Sequence, residues 1–551
     1  MNPRRLCSRA AAGVAAALVL LPASAAAQVR EPEPSERILP LTLEEAVRRA
    51  VEHNPDLAIV RLDTQVDAAR VGESRTAFTP LFSATFGRSS NTTPPSNFLS
   101  GDAGVELDDL FSTFGVRQRL PWGSGTWQVS WDVARTSTNS PISNFDPSLQ
   151  SGFEVAFSQP LLRDRSVDQA RYQYAIAKRN LESSELRFRE SVIQTVAAVK
   201  QAYWTLKATQ ANIAVAQRSL ELAEELARQT KIRVDAGQIP PLDLSQAGAE
   251  VAQRRENLIR AHTAAGDAED SLRRLIMDPS DESFWQMHLQ ASQELTPPGP
   301  VPDVSGAVTR ALGERYDIAR AGRQLENART TVEYLGNQRL PDVRLETSWR
   351  GNGLGGTQFL RTGGFPGVIT GTRSSGLGDA LGQVFRSDYP AWSVGVTVHY
   401  PLGQSYEEAG MARAQVESRQ AEQRIASLRV RVAEAVRRAG RHVRSTAERI
   451  DAARAGASLA QERLDAEQRR YEAGLSTTFL VTQAQRDLLQ AQVNLLQTTL
   501  DYESALVNFE AIQQAPPLAE GDTVAVQGAS IVPLPAPTPR GVFRSNASGL
   551  Q

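Results

Sequence analysis

The residues that most often carry catalytic or metal chemistry are few and scattered in this sequence. Only five histidines, four methionines and one cysteine occur among its 551 residues. One cysteine can supply neither a disulfide framework nor a Cys/His metal site, and the histidines lack the spacing of metal ligands. We expect packing or surface roles for these histidines, which are His53, His262, His288, His399 and His442.

Two other patterns could bind phosphate or perform acid–base chemistry. Gly351, Gly353 and Gly356 fit the G-x-G-x-x-G spacing of a dinucleotide-binding turn, but that turn needs a helix after it, and more glycine-rich sequence follows here. Carboxylates mostly alternate with arginines along predicted helices, as at Glu462–Arg463, which indicates ion pairs. The sequence therefore predicts no enzyme active site, no cofactor and no metal site.

Charge and hydropathy exclude two further classes. The chain has 60 Lys and Arg against 62 Asp and Glu, so no basic surplus points to nucleic acid. Mean hydropathy is −0.33, and no stretch after the N-terminal segment approaches the roughly 18 apolar residues of a membrane-spanning helix. An α-helical membrane protein is therefore not expected.

The N-terminus has the order of an export signal. We predict a signal peptide at residues 1–27, cleaved before Gln28, and Cys7 precedes its apolar part, so no lipid anchor is expected. A buried N-terminal helix is the alternative, and it fits this order less well. The charged, apolar and small-residue segments lie at residues 4–9, 10–21 and 23–27.

The chain repeats itself. Arg233–Gly237 matches Arg470–Gly474, and apolar residues recur every seven positions before each segment, from Val199 to Val234 and from Val436 to Tyr471. A period of 3.5 residues sustained over this length predicts coiled-coil packing, and each glycine suits a helix C-terminus. Each half therefore contains a long helical hairpin with its tip at the glycine.

The front of each half also matches, since Leu43–Arg75 and Val304–Gly336 are each predicted as a helix stopped by proline and followed by a strand. This gives five predicted parts. They are the signal peptide at 1–27, a first repeat at 28–277, a Pro-rich connector at 278–303, a second repeat at 304–514 and a disordered C-terminal tail at 515–551.

Short segments of alternating polarity lie between the helices, about four in the first half and two in the second. One face of Trp392–Tyr400 is aromatic and aliphatic while the other is small and polar. Period 2 over about nine residues is typical of transmembrane strands, and a soluble β-domain is the alternative. Aromatic residues near the strand ends are expected at the membrane interface, namely Trp122, Trp127, Trp349, Trp392 and Tyr400.

A handful of strands cannot close a pore-forming barrel, and open strand edges are not tolerated in lipid. Other copies of the chain are therefore expected to complete the barrel, which predicts a homo-oligomer. Ser89–Asp109 and Gly351–Asp388 are predicted as long external loops, and Leu120–Gly125 as a short periplasmic turn.

Several motifs resemble the TolC family of outer-membrane efflux proteins. They are Leu41–Ala46 with Asn54–Leu57, Phe157–Leu161 at a strand-to-helix junction and Tyr471–Gly474 at a hairpin tip. The resemblance extends from about Leu41 to Gln513. It implies a homotrimer with a barrel in outer-membrane lipid and a helical tunnel in the periplasm.

By the same resemblance, the hairpin tips contact a periplasmic adaptor protein that links the duct to an inner-membrane pump. Family members carry acidic rings after the second tip, but here those positions are Leu480 and Gln483, and Asp243 is the nearest acid in the matching repeat. An apolar and amide constriction is the substitute prediction. The predicted adaptor contacts are Gly237, Ile239, Pro240, Gly474, Leu475 and Ser476.

The predicted fold is mainly α-helical with a transmembrane β-barrel portion, in two repeats whose barrel and tunnel are completed by trimerisation. The predicted function is a passive exit duct across the outer membrane for drug efflux or type I secretion. A structural coiled-coil spacer anchored in the outer membrane is the alternative. Only a duct requires a continuous lumen.

Overall fold

The computed structural model describes residues 37–95, 104–278, 285–294, 299, 302–364, 367–403 and 405–516. The predicted signal peptide lies outside these residues, as does the predicted tail beyond Pro516. The first two residues of that tail pack against the body of the protein, because Ala515 is buried and the Pro516 carbonyl accepts a hydrogen bond from Gln194 Nε2 at 3.1 Å.

Helices dominate the described residues. Two of them are 67 residues long, which corresponds to about 100 Å at 1.5 Å per residue. None of the described helices combines the length and hydropathy needed to cross a bilayer. The helices are α1 (Leu43–His53), α2 (Pro55–Arg75), α3 (Gln169–Asp235), α4 (Pro241–Ile276), α5 (Val304–Glu314), α6 (Tyr316–Gln338), α7 (Leu377–Arg386), α8 (Tyr406–Glu472) and α9 (Thr478–Ala511).

The front segment of each half is two helices, where the sequence predicted one. Pro55 cannot continue α1, and the Asn54 side chain accepts from Leu57 N–H to begin α2. In the second half Arg315 makes the same break without proline. Its guanidinium binds the carboxylate of Asp317 and the carbonyl of Ile512, so a tertiary contact invisible in the local sequence fixes this bend.

Seven strands form the large sheet. They are β2 (Leu81–Thr93), β3 (Val105–Arg119), β4 (Thr126–Thr138), β5 (Phe145–Pro160), β7 (Asp342–Thr362), β8 (Val368–Ser375) and β9 (Tyr389–His399). The lower end of the sheet is the end where its strands join the helices. Six of the strands pair in the antiparallel order β2-β3-β4-β5-β7-β9, and β8 pairs with the upper part of β7.

Strands extend into both of the predicted external loops, so the loops are shorter than the sequence predicted. β2 and β3 remain paired as far as Thr93 and Val105, and Arg88 binds Asp108 across them at 2.7 Å. The segment Gly351–Asp388 contains the upper half of β7, all of β8 and α7, so the described residues of the second half form three strands rather than two. Serine, glycine and threonine suggested loops, but cross-strand pairing overrides these local preferences.

A second, two-stranded sheet joins the ends of the first repeat. β1 (Arg37–Leu41) pairs in parallel with β6 (Met287–Ala291), and β6 lies within the Pro-rich connector. Leu41 and Leu289 from these strands pack into one hydrophobic cluster with Tyr203 and Trp204 of α3. The Tyr203 hydroxyl donates to the carbonyl of Leu41, so the small sheet is fastened to the side of the long helix.

Gly351 and Gly353 of β7 allow α7 to pack closely against the strand, which explains their spacing in the sequence. A Cβ on Gly353 would overlap the carbonyl of Ala380, and one on Gly351 would lie 3.0 Å from the carbonyl of Val384. The Gln383 side chain accepts from Leu354 N–H and donates to Leu354 C=O, in the gap between β8 and β9. The glycines therefore allow a helix to approach a strand, and no phosphate-binding turn forms.

Gly353→Ala is expected to destabilise the protein by about 1–3 kcal/mol, the usual cost of overpacking. The added methyl group must displace α7 from β7. The thermal transition of purified protein measures this loss. Gly378→Ala within α7 is the matched control, since a Cβ there meets nothing within 4 Å; an equal loss in both variants would contradict this role for Gly353.

Candidate channel wall and helical tip

The large sheet has one apolar face. Directly opposed residues of neighbouring strands share a face, so the register defines rows across all six strands. Bulky apolar side chains fill one such row completely, which makes this face suited to contact with lipid. The row consists of Phe82, Val116, Val129, Val155, Trp349 and Trp392.

The predicted interface aromatics lie at two levels. Trp127 and Tyr400 lie at the lower ends of β4 and β9, and Trp122 is exposed in the turn between β3 and β4. Trp349 and Trp392 oppose each other higher up. Eight residues separate Trp392 from Tyr400, which is about 20 Å of height for a strand tilted by about 40°. This is close to the roughly 25 Å of an outer-membrane apolar band.

The opposite face of the sheet is polar and charged. Arg350 lies between Asp132 and Glu154, at 2.7 Å from the first carboxylate and 3.3 Å from the second. Ser348 and Ser393 share a hydrogen bond of 2.8 Å on the same face. Such groups need water or partners, so this face suits an aqueous lumen.

Both outer edges of the sheet are open in the described chain. β2 pairs only with β3 there, and along its length β9 pairs only with β7. Their apolar side chains are largely exposed, for example Phe86 on β2 and Val394 on β9. An open edge with a lipid-facing surface is not stable in a bilayer, so these edges require partners.

Both helical hairpins turn in the same way at their tips. Gly237 and Gly474 have φ of +73° and +74°, a conformation that favours glycine. At the first tip Gln238 N–H donates to Arg233 C=O and Gly237 N–H to Val234 C=O, and Leu475 and Gly474 repeat this pattern at the second. These paired bonds form a Schellman motif, as the sequence predicted for glycine after a helix.

The tip surface exposes apolar side chains. Leu475 is 81% exposed, Leu242 65% and Phe479 64%, whereas the predicted contact Ile239 is half-buried. Pro240 precedes α4, with Pro241 as its first residue. Thr477 caps α9, and the hydroxyl of the predicted contact Ser476 donates to Glu467.

The predicted constriction residues lie in the first two turns of α4 and α9. Leu480 is 44% exposed and Asp243 is half-buried. The Gln483 amide donates to Asp487, which also pairs with Arg463 at 2.8 Å. The structure thus places an apolar side chain and a bound amide on α9 near the tip.

A buried charge cluster above the tips connects the two hairpins. Glu250 of α4 is 5% exposed and pairs with Arg254 of the same helix and with Arg486 of α9. Burial alone would raise the pKa of Glu250, but the hydrogen bonds and charges of these two arginines outweigh it and hold the pKa below its usual range. Glu250 is therefore ionised at neutral pH and links α4 to α9.

Tyr471 forms a second connection between the hairpins. Its hydroxyl lies 3.4 Å from Thr230 Oγ1 of α3 and 3.3 Å from Thr478 Oγ1 of α9, and the Arg233 guanidinium lies 4.0 Å from the ring centroid. The sequence analysis named neither this contact nor the Glu250 cluster. The sequence did contain one signal for the Glu250 cluster. Glu250 and Arg254 follow Ala247 by three and seven residues, which places all three on the same buried face of α4.

No group of three or more potential metal-ligating side chains comes together within the part of the chain that the structure describes. The polar groups of the wall and the tip form ion pairs and hydrogen bonds with one another. The described residues therefore form two candidate functional regions. One is a sheet with an apolar and a polar face, and the other is a tip at which contacts link the two helical hairpins.

Comparison with known proteins identifies this architecture. The sequence profile of the family described as "Outer membrane efflux protein" matches residues 46–276 and 307–512. The pyoverdine export outer membrane protein OpmQ of Pseudomonas aeruginosa is 26% identical over 244 residues, which span 44% of this chain and 48% of that protein. The matched segment thus covers about half the length of that relative.

Solved structures share the fold. The CmeC outer membrane channel of Campylobacter jejuni superposes with a TM-score of 0.61 at 15% identity, over 86% of this chain and 85% of that one. The outer membrane protein VceC of Vibrio cholerae gives 0.61 at 15% identity, over 86% and 96%. The resemblance found in the sequence is confirmed: the chain belongs to the outer membrane efflux protein family and is located in the outer membrane, with its helices extending into the periplasm.

Proposed function

We propose that three copies of this chain form a passive exit duct across the outer membrane. One observation carries the proposal: a two-faced sheet with two open edges continues into helices about 100 Å long. In a ring of copies, β9 of one copy would pair with β2 of the next. The apolar face would then contact lipid and the polar face would line water.

The energy for export would come from partner proteins, in keeping with relatives described as an export outer membrane protein and an outer membrane channel. An adaptor protein would bind the exposed apolar residues of the tips, chiefly Leu242, Leu475 and Phe479, and connect the duct to an inner-membrane pump. The cargo would be small molecules in an efflux system or proteins in a type I secretion system. Cargo would then move by diffusion through the open tunnel.

Closure of the duct would occur at the tip. The link between Glu250 and Arg486 holds α4 against α9, and Leu480 and Gln483 narrow the lumen below it. Opening would separate the two hairpins and break this link. The partner pump and adaptor would supply the binding energy for that change.

Replacing both Leu480 and Gln483 with alanine is expected to raise single-channel conductance, because both side chains are removed from the narrowest point. The measurement is conductance in planar bilayers against the unaltered protein. Leu459→Ala is the control for the loss of an exposed leucine side chain, since Leu459 is exposed on α8, outside the predicted constriction. An unchanged conductance in the double variant would remove both residues from the constriction.

A structural spacer remains the second candidate, because coiled-coil hairpins of this length could tether the outer membrane without conducting. The two functions differ in the lumen, which only a duct requires. The mass of the detergent-extracted particle tests the assembly, and we expect that of a trimer. A monomeric particle would contradict the proposed barrel.

A further inference from the structure

One helix takes the place of a strand segment in the large sheet. β8, α7 and β9 follow one another along the same edge of β7, the edge opposite β5. The pairing of β8 ends at Gly356 and that of β9 begins at Asn352. Within the described residues, no strand therefore pairs with this edge of β7 at Gly353–Gly355, and α7 occupies the interval.

α7 runs antiparallel to β7 and is bonded to it in the gap. Gly355, towards the upper end of β7, lies against the N-cap residue Gly376, and Gly351, lower down, lies against Val384 near the end of α7. The amide of Gln383 bonds both the N–H and the C=O of the strand residue between these glycines, at 2.9 and 3.1 Å. A neighbouring strand would normally bond these backbone groups, so α7 replaces that strand.

The polar side of α7 faces the same way as the polar face of the sheet. Asp379, Gln383 and Arg386 lie on this side of the helix. With Asp132 and Arg350 of the polar face, they border a cavity of about 880 Å³. In the proposed duct this side of α7 would therefore face water.

The other side of α7 is apolar and continues the apolar face of the sheet. Leu377, Leu381 and Phe385 follow one another at intervals of four residues, which places them along one side of the helix. Phe385 is 80% exposed and Leu377 36%. The glycines that α7 covers share a face with Trp349, because they follow it at even intervals along β7. The helix therefore projects from the apolar face and adds its own apolar stripe to it.

The level of α7 matches the outer limit of the apolar band. The glycines under the helix lie two to six residues beyond Trp349, which is about 5–15 Å further from the periplasmic helices for a strand tilted by about 40°. Amphipathic helices with Phe and Leu on one side bind at this depth, where acyl chains meet headgroups. Phe385, at the lower end of α7, is then the most deeply placed residue of the stripe.

We propose that α7 is a lipid-contacting segment of the wall, with Leu377, Leu381 and Phe385 covered by acyl chains at the outer surface of the membrane. This rests on the proposed duct, because only a sheet that spans the membrane brings α7 to this depth.

Lipid fits the apolar stripe better than a second copy of the chain does. A neighbouring copy would bring the upper half of its β2 to this edge of the sheet. On the face that would meet the stripe, that half of β2 carries Arg88, Ser90 and Thr92. These side chains offer no apolar surface, whereas the apolar face of the sheet continues directly into the stripe.

Fluorescence quenching in phospholipid vesicles tests the contact. The full chain carries Cys7→Ser and one new cysteine, Phe385→Cys, labelled with bimane. Lipids with a nitroxide near the headgroup should quench this label more strongly than iodide in the water does. Arg386→Cys, the next residue and on the polar side of α7, is the matched control and should show the reverse order. Equal quenching of the two labels by iodide would overturn the proposal.

The direction of α7 gives a second readout. A nitroxide deep in the acyl chains should quench the label at Phe385→Cys more than the label at Leu377→Cys, because α7 descends along β7 towards the membrane centre. The opposite order, or no difference, would contradict the placement of the stripe in lipid.

A label at Val396→Cys separates failure of this inference from failure of the duct. Val396 lies on the apolar face of β9, below α7. If deep nitroxides do not quench its label, the sheet does not span the bilayer and the proposed duct fails. If they do, but the Phe385→Cys label is shielded from both lipid nitroxides and iodide, then protein covers the stripe and only the lipid contact is refuted.

Discussion

Arg486→Ala is expected to shift the closed tip towards the open state by roughly 5- to 30-fold, seen as higher open probability in planar bilayers. Arg486 is the group that carries the link from α9 across to the buried Glu250 of α4. Hydrogen bonds to a charged partner contribute about 1.5–3 kcal/mol. Because Arg486 is itself 55% exposed, water screens part of this, and about 1–2 kcal/mol remains.

Arg463→Ala is the matched control for that variant. Arg463 pairs with Asp487 at 2.8 Å near the same tip, but this pair joins α8 to α9 within one hairpin. Opening by separation of the hairpins leaves the pair of Arg463 and Asp487 intact, so Arg463→Ala should not change the open probability. Equal effects of the two variants would show that surface charge, rather than the link between hairpins, controls the tip.

The same link has a defined pH dependence. Glu250 has a folded pKa below its ordinary value of about 4.3, so the stabilisation is present above that value and is lost as the pH falls through the folded pKa. Small changes of pH around neutrality should therefore leave the link between Glu250 and Arg486 intact. Any acid-induced opening that depends on Arg486 should begin below about pH 4.3.

Val396→Arg is expected to prevent stable insertion. Val396 lies on the apolar face of β9, midway between Trp392 and Tyr400, and is exposed at the edge of the sheet. An arginine at the middle of the lipid-facing band costs about 2–4 kcal/mol in each copy. The amount of assembled protein in outer-membrane fractions measures this loss.

The neighbouring position supplies the control. Gly395 is on the polar face opposite Glu346, and a Cβ there meets nothing within 4 Å. Gly395→Arg should therefore assemble normally, with its charge in the lumen beside a carboxylate. If both variants assemble equally well, or if only Gly395→Arg fails, the assignment of the two faces is wrong.

The parts of the fold with a regular period were predictable from the sequence. The heptads between Val199 and Val234 and the glycines at 237 and 474 gave the hairpins and their tips, because coiled-coil packing and a left-handed turn each demand particular residue types. Alternation of apolar and polar residues predicted the strands in the same way. The duplication supported both predictions.

Features that depend on distant partners could not be predicted. The bend at Arg315 depends on the carbonyl of Ile512, and the upper halves of β2 and β7 depend on their cross-strand neighbours despite loop-like composition. Glu250 and Arg486 are 236 residues apart. The sequence places Glu250 on the buried stripe of α4, but only folding brings Arg486 to it.

The conductance of purified, detergent-extracted protein in a planar bilayer tests the proposed duct most directly. Particle mass should be measured on the same sample. Discrete channels from a trimer-sized particle are the predicted result, with more frequent opening in the Arg486→Ala variant. A trimer that inserts but never conducts, even when Arg486 and the residues Leu480 and Gln483 are replaced, would contradict the duct and support a structural spacer.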